Sequence, residues 1–336
     1  MHNSLILFTI KTWDKMKKMW DVIVVGGGPA GLTTAIMCAS RHLKTLILEG
    51  GKWGGLPSTL YPSKTIPNYP GFPDGITGIE LVQKWLKHAK KSEFITMKEE
   101  RVLAIDRKKV VKAESGNYIG KTIVIATGTR PRELGIPGES KFNRGGKGVY
   151  YYVTHREEFI GKKTLVVGGG DTAVDAVLDI TDLADEIYIV HRRNAFRALD
   201  DNVKKMKESK AHILLNTEVE EIRGKDKVEE VVIVNNKTKK KQILKIDKVV
   251  LAVGLVPNGE IFKKLGIKID EKGYIITDEG QQTNIEGIFA VGDIVRGSFR
   301  LLIVGAAHGA IASQKIYEYI RKPYWAEKGI EKGSSR

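Results

Sequence analysis

"DVIVVGGGPAGLTTAIMCASRHLKTLILEGG", Asp21 to Gly51, decides the fold. An apolar, β-branched run leads into Gly26, Gly28 and Gly31 at G-x-G-x-x-G spacing, and a helical stretch then leads to a second apolar run, "TLILE". This reads as strand, tight turn, helix and strand, the βαβ unit that binds a dinucleotide. Gly26 permits the turn, Gly28 lets backbone approach a pyrophosphate, and Gly31 lets helix and strand pack closely. The helix N-terminus offers N–H donors to phosphate. Glu49, about twenty residues on, ends the second strand where a carboxylate accepts hydrogen bonds from ribose hydroxyls. A lone glycine fingerprint says little; one inside a complete βαβ unit with its acid in place predicts a dinucleotide.

A second copy follows: "KTLVVGGGDTAVDAVLDITDLADEIYIVHRRNAFRA", Lys163 to Ala198, with Gly168, Gly170 and Ala173 at the same spacing. Two such units predict two nucleotides. Here the second strand ends not in a carboxylate but in His191, Arg192 and Arg193, with Arg197 one turn later. Guanidinium groups grip a 2′-phosphate through charge-assisted bonds, whereas a carboxylate would repel it. The expected preference is NADPH over NADH. A solvated basic strand end is the alternative reading of these arginines.

Composition bounds the remaining choices. At 336 residues the chain suits two domains. It has no apolar run long enough to span a membrane. Its one cysteine, Cys38, rules out an internal disulfide and a cysteine metal cage, and places the protein by default in the cytoplasm. The balance of 55 Lys plus Arg against 40 Asp plus Glu gives +15, which would steer an acidic partner to the surface, although a solvated charged surface explains most of it equally well. No zinc-finger spacing or RNA-stacking signature supports nucleic acid, and no metal site is expected. Residues 1–18 read as a frayed extension, with Met19 near the true start.

Two further motifs identify the first nucleotide. "TNIEGIFAVGDIV", Thr283 to Val295, resembles the second flavin motif of the disulfide-reductase superfamily, whose Asp, here Asp293 after Gly292, bonds the flavin ribitol. "IVIATGTRPR" resembles the strand end by which that superfamily leaves its FAD domain, with Ala126, Thr127 and Gly128 as its "ATG". From Asp21 to about Tyr324 the chain resembles the thioredoxin reductase group: "GGGPAG" (Pro29 and Ala30 included), Gly54 and Gly55, "IPNYPGFP", "ATG", "GGGDTAVD" and "HRRNAFRA". The resemblance implies an α/β architecture of two Rossmann-like, three-layer ββα domains, the NADPH domain being inserted in a discontinuous FAD domain. FAD would occupy 19–131 and 256–325, NADPH 132–255, and 326–336 would be a flexible tail. The domain hinge would lie near Arg132 and Gly254, and the protein would be a homodimer built on its FAD domains. It further implies Gly55 and Asn68 as FAD contacts and Asp171 and Thr172, with His191, as NADPH contacts.

"GVYYYVTHREEF", Gly148 to Phe159, departs from that group. Tyr152 and His155 stand where thioredoxin reductases carry their redox cysteines. Neither can form the thiolate that disulfide exchange requires, which excludes thioredoxin reduction by the usual route. "GGLPSTLYPSK" and "FRLLIVGAAHGAIA" instead resemble the cysteine-free branch, the thioredoxin-reductase-like ferredoxin–NADP reductases. By that likeness Tyr61 stacks on the isoalloxazine and is the residue assigned to catalysis, and backbone N–H groups near Leu301 and Leu302 stabilise the reduced ring. Leu56 replaces that branch's glutamine. Tyr324 or Trp325 is the candidate for a ring covering the second flavin face, with ordinary packing as the alternative. His155 is either a proton donor near N5 or a solvated loop residue. The implied function is FAD-dependent hydride uptake from NADPH and single-electron delivery to ferredoxin or another acidic carrier. The competing readings are an NAD(P)H oxidase or diaphorase, and a flavin-binding sensor of NADPH without useful turnover.

Overall fold

The computed structural model describes residues 19–143, 145–262 and 264–323. The N-terminal extension, Tyr324, Trp325 and the tail expected at 326–336 lie outside the described residues. The described residues divide into two compact units, one running to Thr129 and resuming at Pro257, the other spanning Arg130–Val256. The second unit is therefore inserted in the first.

In the first unit, β1 (Met19–Val25) leads to α1 (Pro29–Ala39) and β2 (Thr45–Glu49), which pairs parallel to β1. Next come α2 (Gly78–Lys90) and β3 (Ile95–Glu99), parallel to β2. An antiparallel pair, β4 (Val102–Ile105) and β5 (Val110–Ala113), joins β6 (Gly116–Ile125), which lies parallel to β1. The sheet order is β3-β2-β1-β6-β5-β4.

Both faces of the central strands are buried, as expected for a parallel sheet covered on both sides. Ile23, Val25, Leu46, Leu48, Ile123 and Ile125 point into one core. Their alternates Val22, Val24, Ile47 and Val124 enter the other, where Leu32, Ala35 and Cys38 of α1 pack. The central strands themselves thus read as uninterrupted apolar runs, the signal visible in "DVIVV" and "TLILE".

β7 (Thr129–Pro131) leads out of this unit. The inserted unit has a five-stranded sheet of β8 (Val149–Tyr150), β9 (Lys163–Gly168), β10 (Glu186–His191), β11 (His212–Leu215) and β15 (Lys248–Ala252). Its order is β8-β15-β9-β10-β11 and every pairing is parallel. Helix α3 (Asp171–Ile180) joins β9 to β10, and α4 (Asp200–Glu208) precedes β11. A separate antiparallel sheet is formed by β12 (Thr217–Arg223), β13 (Glu230–Asn235) and β14 (Lys241–Lys245).

The return strand β16 (Leu255–Pro257) pairs with β7. β17 (Ile288–Ala290) then adds parallel to β6, and α5 (Leu302–Arg321) completes the first unit. Helix α5 meets α1 at small residues: a side chain at Gly309 would collide with the Ala30 carbonyl and with Thr34. The architecture is thus α/β with two Rossmann-like units, the second interrupting the first.

Candidate functional sites

The two glycine fingerprints use their glycines for two different reasons. Gly26 has φ +110°, and a Cβ there would fall on the Ala126 carbonyl. A Cβ at Gly31 would fall on the Gly26 carbonyl. These two are glycines because the protein's own backbone leaves no room. Gly28, the residue before α1, differs: its Cβ would meet nothing nearer than Gly55 Cα at 3.9 Å. Its backbone is extended, φ −77° and ψ −175°, which any residue can adopt. Neither packing nor strain demands glycine there, and the open space lies beside the first turn of α1, whose N–H groups have no partner within the helix.

The second fingerprint repeats the pattern. A Cβ at Gly168, φ +154°, would meet the Ala252 carbonyl and come within 2.8 Å of Ala173 Cβ. One at Gly170, before α3, would meet nothing within 4 Å. Both middle glycines leave a cradle that a methyl group would fill, a shape that fits a pyrophosphate approaching a helix N-terminus.

In the first site, Glu49 ends β2 and accepts hydrogen bonds from Gly27 N at 2.6 Å and Gly51 N at 2.7 Å. Two backbone donors fix its orientation, and its carboxylate keeps acceptor capacity for ribose hydroxyls. Trp53, which the motifs did not single out, lies against Gly27: a Cβ there would come 2.5 Å from its ring. Thr127 and Asn258 lock together, Thr127 Oγ1 donating to the Asn258 carbonyl at 2.9 Å and Asn258 Nδ2 to the Thr127 carbonyl at 2.8 Å. The "ATG" turn is held this way, with Gly128 at φ +59° and Ala126 buried beneath Gly26.

Gly292, φ +78°, brings the "GD" turn against the first turn of α1, since a Cβ on it would sit 2.8 Å from Ala30 Cβ. Asp293 next to it is half-buried, and its carboxyl has no hydrogen-bonding partner among the described residues. Burial pushes its pKa upward, partly opposed by the Arg300 guanidinium. A carboxyl held from water without a protein donor fits a ligand hydroxyl. His308 of α5, missed in the sequence, accepts from Gly292 N through Nδ1 at 3.3 Å, and burial lowers its pKa. Its signal was a lone imidazole in the small-residue run "VGAAHGAIAS".

Tyr61 and Leu302, distant in sequence, join one apolar cluster with Ile66, Ile76 and Leu81. Leu301 is exposed at the start of α5, Asn68 is exposed, and Gly55 with φ +62° faces Gly28.

In the second site the arginines are open to solvent. Arg192, Arg193 and Arg197 are exposed, and among the described residues their guanidinium groups have no hydrogen-bond or ion-pair partner. Three unneutralised cations in one short segment fit a 2′-phosphate. His191, by contrast, is buried: its ring covers Gly169 and stacks on Phe196 at 5.5 Å. Burial first, then the three arginines, lower its pKa, so it is a neutral support beneath the arginine turn. Asp171 accepts from Leu199 N at 2.9 Å, which ties α3 to the segment leading into α4, while Thr172 is exposed.

The aromatic loop is a clasp. Tyr150 donates to Glu158 at 2.5 Å and accepts from Lys248 Nζ at 2.5 Å, with Lys248 Nζ 3.6 Å from the same carboxylate. Tyr151 donates to Glu139 at 3.0 Å, and burial with that carboxylate pushes its pKa up to about 12. Tyr150 and Tyr151 therefore anchor the loop through their hydroxyls. His155 is exposed, its Nδ1 3.4 Å from Glu157.

Cys38 is fully buried in α1, and burial pushes its thiol up to about 12. The reactive thiolate is therefore scarce at neutral pH. Thiol reagents at about pH 8 should leave the folded protein unlabelled and its NADPH oxidation unchanged, with labelling appearing only in denaturant. Rapid labelling with loss of activity would give Cys38 a redox role.

The pyridine nucleotide-disulphide oxidoreductase family matches residues 20–309. A thioredoxin reductase of Bacillus subtilis is 37% identical over 311 residues, covering 91% of this chain and 96% of that protein. A ferredoxin–NADP reductase of Ignicoccus hospitalis is 36% identical over 316 residues, covering 91% of this chain and all of its own. Among solved structures, the thioredoxin reductase of Lactococcus lactis in its FR conformation superposes with a TM-score of 0.81 at 36% identity, covering 90% of this chain and all of its own. Family members use FAD and NADPH.

Proposed function

This chain belongs to the pyridine nucleotide-disulphide oxidoreductase family, and from that premise we propose that it is a ferredoxin–NADP reductase, taking hydride from NADPH onto FAD and passing electrons singly to an acidic carrier. The observation that carries the reading is negative at one point and positive around it. The only cysteine is sealed in α1, and the loop where relatives of the thioredoxin reductase type would carry a redox pair holds Tyr152 and His155. The open space at Gly28 and Gly170, each before a helix, supports a nucleotide at both fingerprints. The chain keeps the means to receive electrons and lacks the means to hand them to a disulfide.

FAD, when bound, supplies the conversion of a hydride into single electrons. The chain's residues bind and orient. Gly28 and the first turn of α1 receive the pyrophosphate, Glu49 the ribose, and Asp293 the ribitol. Tyr61, in its cluster with Leu302, supplies an aromatic face for the ring, and the backbone at Leu301 and Leu302 supplies donors at the start of α5. Gly170 and α3 take the second pyrophosphate, and Arg192, Arg193 and Arg197 the 2′-phosphate. Transfer of this kind needs no general base, so none is assigned.

The net charge of +15 supports an acidic carrier. The exposed apolar side chains of Phe299, Leu301, Ile303 and Ile311 support a homodimer formed by the FAD unit. A cytoplasmic setting belongs to the same reading. The test is anaerobic mixing of the NADPH-reduced protein with an acidic ferredoxin at low and high salt. Fast reoxidation that slows as salt screens the charges is expected. Indifference to ferredoxin alongside rapid peroxide formation in air would favour the oxidase reading.

A further inference from the structure

The arginine turn after β10 is exposed, and three exposed guanidinium groups repel one another. Something must hold the backbone that presents them. At its far end the segment is tied to the fingerprint it serves: Arg197 N donates to the Gly169 carbonyl at 2.7 Å, and Leu199 N to Asp171. At its near end the tie comes from the antiparallel sheet. Asn236, in the turn between β13 and β14, donates from Nδ2 to the Arg192 carbonyl at 2.8 Å. Asn216, between β11 and β12, donates its backbone N–H to the Arg193 carbonyl at 3.0 Å. The two asparagines are joined in turn, Asn236 N donating to the Asn216 carbonyl at 2.7 Å. Asn216 sits at φ +52°, a left-handed conformation that asparagine tolerates better than most residues.

We infer that Asn236 is a positioning residue for cofactor choice: its side-chain amide fixes the arginine turn, so that Arg192 and Arg193 meet the 2′-phosphate of NADPH already oriented. This inference rests on the reading of those arginines as the 2′-phosphate site. Asn236 would never touch the cofactor. It acts through the carbonyl of the residue that does, and it deepens specificity by removing the freedom the turn would otherwise lose on binding.

The side chain can be removed cleanly. The turn that carries Asn236 is built by its neighbour, since Asn235 Oδ1 accepts from Lys237 N and Thr238 N, both at 3.0 Å. The Asn236 backbone bond to Asn216 also survives substitution. Asn236→Ala therefore deletes one donor and leaves the hairpin standing.

The experiment measures binding of 2′,5′-ADP and of 5′-AMP to the flavin-loaded protein by calorimetry, for the natural chain, Asn236→Ala and Asn236→Gln. The first ligand carries the phosphate that the arginines are proposed to hold, and the second lacks it. In the natural chain 2′,5′-ADP should bind far more tightly than 5′-AMP. Asn236→Ala should weaken 2′,5′-ADP by about three- to tenfold, the loss of one oriented hydrogen bond. It should leave 5′-AMP binding and the melting temperature unchanged, and Asn236→Gln, which keeps the donor, should recover part of the loss. In turnover the KM for NADPH should rise while kcat and all NADH parameters hold.

Equal weakening of both ligands, or a fall in melting temperature that accounts for the loss, would make Asn236 merely structural and overturn the inference. Unchanged 2′,5′-ADP binding in Asn236→Ala would also overturn it. A natural chain that fails to distinguish the two ligands would instead remove the 2′-phosphate site itself, a failure separate from that of Asn236.

Discussion

Replacing Arg192 and Arg193 together by alanine should lower kcat/KM for NADPH on the order of a hundred- to a thousandfold and leave NADH within a factor of about three. Each charge-assisted bond to phosphate is worth about 1.5–3 kcal/mol, and about 1.4 kcal/mol is a factor of ten. Both side chains are exposed and have no protein partner among the described residues, so their loss removes no fold contact. The neutral, buried His191 beneath them should keep its stack on Phe196. Steady-state kinetics with both cofactors provides the check. A double variant that loses NADH activity equally would show the arginines to be supports of the fold or of the common part of the cofactor.

The second large effect separates two kinds of glycine. Gly28→Ala should give a soluble, folded protein that is purified largely colourless and binds added FAD on the order of ten- to a hundredfold more weakly. The methyl group would occupy space empty of protein, which the proposed reading gives to the pyrophosphate. Gly31→Ala should instead fail to fold or melt far lower, because its methyl would strike the Gly26 carbonyl inside the helix–strand contact. Overpacking of that kind costs about 1–3 kcal/mol or more. Circular dichroism and flavin absorbance of the two variants distinguish the outcomes. A yellow, normally binding Gly28→Ala protein would mean that the cradle is not where the pyrophosphate lies.

Much of this was legible because it is local. A strand, a three-glycine turn and a helix occupy consecutive residues, so spacing alone places Gly26, Gly28 and Gly31, and again Gly168, Gly170 and Ala173. The insertion of one unit in the other was implied by the family resemblance, in which the "GD" turn returns after the second fingerprint. The ties between distant segments could not be read this way. Asn258 meets Thr127, His308 meets Gly292, Lys248 meets Tyr150, and Asn236 meets Arg192, each pair brought together only by the tertiary fold. The triple tyrosine looked like a replaced redox loop whose hydroxyls had no visible partners. Asp171 belonged to a nucleotide motif, yet its carboxylate accepts the Leu199 N–H and steadies the arginine segment.

The central claim is that electrons enter through a flavin and never pass to a thiol pair. Anaerobic titration with NADPH, following the flavin absorbance, tests it most directly. Full bleaching should take about two electrons per flavin, one NADPH equivalent, because no disulfide stands behind the ring. A requirement of about four electrons per flavin, or thioredoxin reduction by the purified protein, would contradict the account.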